Sequence, residues 1–190
     1  MATYLNVNRI IAGSEDDYIT GTDGDDDLRG SQGNDFIIGG KGADFIRGGA
    51  GDDRLWGGNG NDRLEGAGGN DDLRGGRGND VLFGGNGRDI LSGDIGFDVL
   101  NGGAGDDLFY FSASTAAKGF DRINDFAVGD QIRFDRYKAN DDLIFEEDGA
   151  NINIYVDLKG DGTVDYLAVV VVNAALADVE AATSFGGLTF

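Results

Sequence analysis

From Ala12 to Tyr110 the chain repeats every nine residues, eleven times in succession and without an insertion. Gly39–Arg47 (GGKGADFIR), Gly48–Trp56 (GGAGDDRLW) and Gly57–Glu65 (GGNGNDRLE) are three successive copies. A strict short period restricts the fold to a stack of identical units. Position 6 is always aspartate: Asp17, Asp26, Asp35, Asp44, Asp53, Asp62, Asp71, Asp80, Asp89, Asp98 and Asp107. Position 8 is always large and apolar: Ile19, Leu28, Ile37, Ile46, Leu55, Leu64, Leu73, Leu82, Leu91, Leu100 and Phe109. Position 4 is glycine in ten copies and Glu15 in the first.

Each position has a physical reading. The six residues G-G-x-G-x-D suit a turn, because glycine accepts positive φ and lets carbonyls converge. The last three suit a very short strand, with position 8 inward and positions 7 and 9 outward. Two units then make one coil, and alternate repeats stack as parallel strands of a solenoid. Stacking sets aspartate on aspartate at roughly 5 Å, the spacing of neighbouring strands. Like charges that close repel unless a cation lies between them. Carboxylate and carbonyl oxygens form a hard-cation site, and flexible turn oxygens favour calcium over octahedral magnesium.

Composition narrows the chemistry further. The 190 residues contain no histidine, cysteine or proline, which removes thiol nucleophiles, Ser-His-Asp triads and ordinary zinc sites. A formal charge of −20 argues against nucleic acid or anionic membrane as a partner. Residues 1–13 lack the basic and apolar regions of a classical signal peptide. The longest apolar run, Tyr166–Val172, is too short to span a bilayer.

The motif G-G-x-G-x-D-x-U-x over residues 12–110 resembles that of the RTX (repeats-in-toxin) calcium-binding family, as in serralysin-type proteases and alginate epimerase modules. The resemblance implies an all-β fold: a right-handed parallel β-roll loaded with calcium, followed by a β-rich cap. It also implies about nine calcium ions, each between two same-side turns and held by both position-6 aspartates. Backbone oxygens complete the implied set. Asp35 and Asp53 would share an ion with the carbonyls of Ser31, Gly33, Gly48 and Ala50. Along both edges the implied loop glycines are Gly33; Gly39, Gly40 and Gly42; Gly48, Gly49 and Gly51; Gly57, Gly58 and Gly60; Gly66 and Gly69; Gly75, Gly76 and Gly78; Gly84, Gly85 and Gly87; and Gly102 and Gly103. The first copy (AGSEDDYIT) lacks two of its glycines, so Asp17 is expected to lie in a capping loop that binds weakly or not at all.

Residues 1–11 read as a lead-in, 12–111 as the roll and 112–190 as the cap. Beyond Phe111 glycine falls to seven in 79 residues and alternating segments appear at Gln131–Phe134, Asp142–Glu147, Asn151–Leu158 and Val164–Val172. Gly160 and Gly162 mark a hairpin, and residues 174–182 suit a short helix. Asp157–Gly162 fails as an EF-hand loop, because Lys159 occupies a ligand position. The run Asp121–Ile132 resembles the segment that closes the roll in serralysin-type proteases, which implies Asp125, and secondarily Asp121, as late calcium ligands.

Two outer faces can be read from phase. One carries Phe36, Ile38, Trp56, Ile90, Leu108 and Tyr110, a face expected to be covered in part by the C-terminal segment or a neighbouring chain, the alternative being a partner or ligand surface. The other carries Arg29, Arg47 and Arg63, a thin version of the basic row with which some related modules hold anionic glycans. The resemblance implies a secreted, non-enzymatic calcium-binding module that leaves the cell by a type I apparatus and folds outside. It would be free-standing or the C-terminal part of a larger exoenzyme. The alternative is a calcium-dependent binding module for an anionic polysaccharide or cell surface.

Overall fold

The computed structural model describes residues 3–5, 9–112, 120–135, 142–148, 151–157, 166–172, 183–185 and 188–189. Every described element is a strand, and among the described residues no helix is long and apolar enough to cross a membrane. The first thirteen strands are β1 (Thr3–Leu5), β2 (Arg9–Ile11), β3 (Tyr18–Thr20), β4 (Asp27–Gln32), β5 (Phe36–Lys41), β6 (Phe45–Ala50), β7 (Arg54–Asn59), β8 (Arg63–Gly68), β9 (Asp72–Arg77), β10 (Val81–Asn86), β11 (Ile90–Ile95), β12 (Val99–Ala104) and β13 (Leu108–Ser112). Then come β14 (Asp121–Ile123), β15 (Gln131–Asp135), β16 (Asp142–Asp148), β17 (Asn151–Asp157), β18 (Tyr166–Val172), β19 (Thr183–Phe185) and β20 (Leu188–Thr189).

Odd-numbered strands from β1 to β15 form one sheet, continued by β19 and β20. Even-numbered strands from β2 to β14 form the other, continued by β18, β17 and β16. Within the repeats every strand pairs in parallel with the strand two places on, so the chain coils as a parallel β-roll. Register is set by the repeat itself: Leu28 lies beside Ile46, Ile46 beside Leu64, and Leu64 beside Leu82. A one-residue slip would turn this column out to solvent.

The core is narrow. All eleven position-8 side chains are fully buried and form one column per sheet. Ile10 precedes them, and Ile123 and Ile132 follow in register with Leu100 and Phe109. Phe111 stacks on Phe134 at 5.4 Å, and Phe126 packs near Phe109, so aromatic rings fill the C-terminal end of the column.

The strands are longer than the three residues expected. Each typical repeat strand runs six residues, through positions 1–3 of the next repeat, and pairing includes Gly40 with Gly58 and Lys41 with Asn59. Only positions 4–6 remain as the turn. The backbone bend falls at positions 2 and 4, where φ is positive: +119° at Gly40 and +112° at Gly42. The coil imposes that geometry even where the sequence departs from glycine, since Ser31 and Ala67 have φ of 90° and Asp94 of 69°.

The described C-terminal strands extend the sheets edgewise instead of lying over the aromatic face: β15 beside β13, β19 beside β15, and β18 beside β14. Trp56 and Ile90 on that face stay about 40% exposed (39% and 40%). Strands β17 and β18 are antiparallel neighbours, as a hairpin requires. The turn around Gly160 and Gly162 and the expected helix at 174–182 lie outside the described residues.

Removing a column residue should be costly, and removing an outer one should not. In calcium, Leu64→Ala is expected to lower stability in urea by about 2–5 kcal/mol. Arg47→Ala, on the outer face, is expected to change it by less than about 0.5 kcal/mol. Equal effects would contradict the one-residue-wide core.

Candidate metal centre

The position-6 aspartates are brought to the turns by the same strands that bury position 8. All eleven are nearly inaccessible to solvent. In the nine from Asp35 to Asp107, Oδ1 is held by a backbone N–H one coil earlier: Asp17 N–H donates to Asp35 Oδ1 at 2.8 Å, Asp44 N–H to Asp62 at 2.9 Å, and Asp89 N–H to Asp107 at 2.9 Å. The second oxygen is different. Oδ2 of Asp35, Asp44, Asp53, Asp62, Asp71, Asp80, Asp89, Asp98 and Asp107 is buried without any hydrogen-bond partner. Nine orphaned carboxylate oxygens in one small roll are costly unless something compensates them.

The two N-terminal aspartates differ. Asp26 Oδ2 accepts from Thr22 N–H at 2.7 Å and lies within 3.3 Å of the Thr22 hydroxyl. Asp17 Oδ2 accepts from Gly13 N–H at 3.4 Å. The first coil therefore satisfies its carboxylates with protein donors.

At Asp35, Asp44, Asp62, Asp71 and Asp89 the orphan shares a glycine cradle with a carbonyl of the next coil. A β-carbon on Gly30 would collide with Asp35 Oδ2 and crowd Gly48 O, and one on Gly66 would do the same with Asp71 Oδ2 and Gly84 O. Position-2 and position-4 carbonyls point at the next coil, where a β-carbon on Gly49 would meet Ser31 O and one on Gly51 would meet Gly33 O. Ala50 O, at position 3, accepts the Gly33 N–H at 3.0 Å. Among the described residues no three acidic side chains converge, so a cation there would depend on backbone oxygens as well. This donor set, oxygen throughout, suits calcium.

Electrostatics match that reading. Burial lifts these carboxyls above their ordinary value of 3.8, to about 7 at Asp44 and Asp53 and about 8 at Asp80. The backbone N–H bond to Oδ1 opposes the rise, while neighbouring aspartates along the stack, such as Asp26 and Asp62 around Asp44, add to it. Without a cation the column resists ionising.

After the repeats the Oδ1 half of this arrangement continues on new residues, while Asp130 Oδ2 accepts the Ala127 N–H at 2.8 Å. Asp121 Oδ1 accepts the Asp98 N–H at 3.0 Å, and Asp130 Oδ1 accepts the Asp107 N–H at 2.9 Å, each 23 residues on. Both are buried. Burial and the Asp98 carboxylate raise Asp121 to about 8. Asp125, expected as the principal late ligand, accepts the N–H groups of Gly102 and Gly103, both at 2.9 Å. Asp130 takes the repeat-aspartate register without having been singled out in the sequence, because its spacing breaks the period of nine. The Gly129-Asp130 pair was the one available signal.

The arginine row is largely self-neutralised. Arg29 pairs with Asp27 at 2.8 Å and lies over the Phe45 ring, and Arg63 pairs with Glu65 at 2.6 Å and lies over Phe83. Arg47 sits beside Arg29 in register, with no carboxylate in ion-pair reach among the described residues. On the opposite sheet Tyr18, Phe36 and Trp56 form an edge-to-face series, with Arg74 over Trp56.

The RTX calcium-binding nonapeptide repeat (4 copies) matches residues 6–37, 29–64, 38–73, 65–100 and 83–113, together more than half of the chain. Among solved structures, the extracellular lipase LipA from Serratia marcescens is similar at 18% identity and a TM-score of 0.39. That likeness covers 90% of this chain, which spans 39% of the lipase. No curated protein matches.

The raised carboxyl values give the metal-free chain a definite pH dependence. The folded state binds protons more tightly than the unfolded one, so its stability is fullest below about pH 4. It is lost as pH rises toward the values near 7 and 8 of Asp44, Asp53 and Asp80. The β-content of metal-free protein, followed by far-UV circular dichroism, is expected to be higher at pH 5 than at pH 8. A β-content that rises with pH would refute the repelling column.

Proposed function

Because the chain belongs to the RTX calcium-binding nonapeptide repeat family, we propose that it is a secreted roll whose folding is coupled to calcium binding between same-side turns. The observation that carries this reading is the series of nine orphaned Oδ2 atoms, five of which share a glycine cradle with a carbonyl of the next coil. Bound calcium supplies the positive charge those oxygens lack. Nine ions follow, as the repeat count implied, but shifted toward the C-terminus. The gaps Asp17/Asp35 and Asp26/Asp44 drop out, since Asp17 and Asp26 have protein donors. The gaps Asp98/Asp121 and Asp107/Asp130 replace them. Asp35 Oδ2, Gly48 O, Ser31 O and Gly33 O hold one ion of the series with Asp53, and Asp125 caps Gly102 and Gly103.

The chain's own residues supply the switch. At low calcium the stacked carboxylates repel, and the backbone entropy of 35 glycines favours the unfolded chain. Outside the cell, binding free energy becomes folding free energy. A chain unfolded inside and folded outside suits passage through a type I apparatus. The roll is a structural calcium-binding module, and in a larger exoprotein it would stabilise or target the whole while catalysis resides in another part.

Far-UV circular dichroism with millimolar calcium and with chelator is the direct test, and equal β-content in both states would overturn the reading. Calorimetry adds the count. Asp130→Asn is expected to remove one bound ion, and Asp125→Asn none. The reverse pattern would return the late site to Asp125.

A further inference from the structure

Position 5, the residue before each aspartate, is Asn or Asp in eight of the eleven repeats. Its side chain bonds in the opposite sense to position 6, reaching forward one coil where the aspartate reaches back. On one edge Asp16 Oδ1 accepts the N–H of Asn34 at 2.8 Å, Asn34 that of Asp52 at 2.8 Å, Asp52 that of Asn70 at 2.7 Å, and Asn70 that of Arg88 at 2.9 Å. On the other edge Asp25 accepts from Ala43, Asn61 from Asn79 and Asn79 from Phe97. Ala43 has no acceptor to offer Asn61, and this edge is broken there.

The peptide plane makes these bonds relevant to the cation. A trans peptide sets the N–H of one residue antiparallel to the C=O of the residue before it. Holding the position-5 N–H toward the preceding coil therefore aims the position-4 carbonyl at the following one. The carbonyls lie accordingly: a β-carbon on Gly105 would meet Gly87 O, whose peptide partner is the Arg88 N–H held by Asn70. Gly60 O faces Gly78 in the same way, but without that restraint, because Ala43 stands one coil earlier.

We propose that the position-5 Asn and Asp side chains are positioning residues for the calcium sites, each restraining a position-4 carbonyl in the gap one coil beyond its own. This rests on the reading of the gaps as calcium sites. It assigns Asn70 to the Asp89/Asp107 gap, which it does not touch. It also makes the Ala43 break a weak point that a substitution can repair.

The test is calcium titration of the full chain, followed by circular dichroism for folding and calorimetry for ions bound. Asn70→Ala is expected to raise the calcium midpoint about fivefold, the worth of one hydrogen bond, and to weaken one ion separately. Asn70→Asp keeps the acceptor, as Asp52 does naturally, and is expected to stay within about twofold of the parent. Ala43→Asn adds an acceptor and is expected to lower the midpoint. If Asn70→Ala fails to fold, the opposite shift of Ala43→Asn carries the test. The inference falls if neither variant shifts the midpoint, or if Asn70→Asp is as impaired as Asn70→Ala. A parent that ignores calcium would overturn the underlying reading instead.

Discussion

A carboxylate oxygen buried without a donor is the condition on which the rest of this molecule turns. Stacked strands put Asp35, Asp53, Asp71 and their successors one above another, and each keeps one oxygen bonded and one bare. The bonded oxygen fixes orientation, so the bare one cannot turn away to find water. Hydrogen bonding thereby enforces the electrostatic problem that a cation resolves. Geometry and charge are two consequences of one backbone contact.

The apolar column is too thin to overcome that repulsion by itself. One Leu or Ile per repeat, flanked by glycine, buries far less surface than a two-layer domain of the same length, and backbone ordering costs about 1–2 kcal/mol per residue. Most roll residues must be ordered for every side chain buried. Stability has to be drawn from the turns, which is where the family's ion belongs.

Much of this was legible beforehand because a strict period transmits local chemistry directly into position. The inward facing of position 8, the pairing of alternate repeats and the stacking of aspartate on aspartate follow from phase alone. What escaped the sequence depends on features that phase does not encode. Strand length was underestimated because glycine is a poor strand former by propensity, yet Gly40 and Gly58 pair within the ladder. Strands β1 and β2 add rungs before the first repeat, where no motif announces them. Asp121 and Asp130 continue the stack across 23 residues instead of 18, and only three-dimensional register reveals the equivalence. The basic row looked available as a string of arginines, but Asp27 and Glu65, two residues from Arg29 and Arg63 on the same strands, occupy two of the three.

Residues 18 apart meet all along the roll, whichever coil is considered. Every long-range contact in the repeats therefore closes a loop of the same short length, and the cost of closure does not grow as the stack does. Such a chain has low contact order despite being all-β, a class that ordinarily folds slowly. Assembly becomes a succession of identical additions, each seeded by the coil already in place. Length is then an adjustable quantity: removing or inserting 18 residues changes how many coils there are and leaves the contacts of each coil as they were.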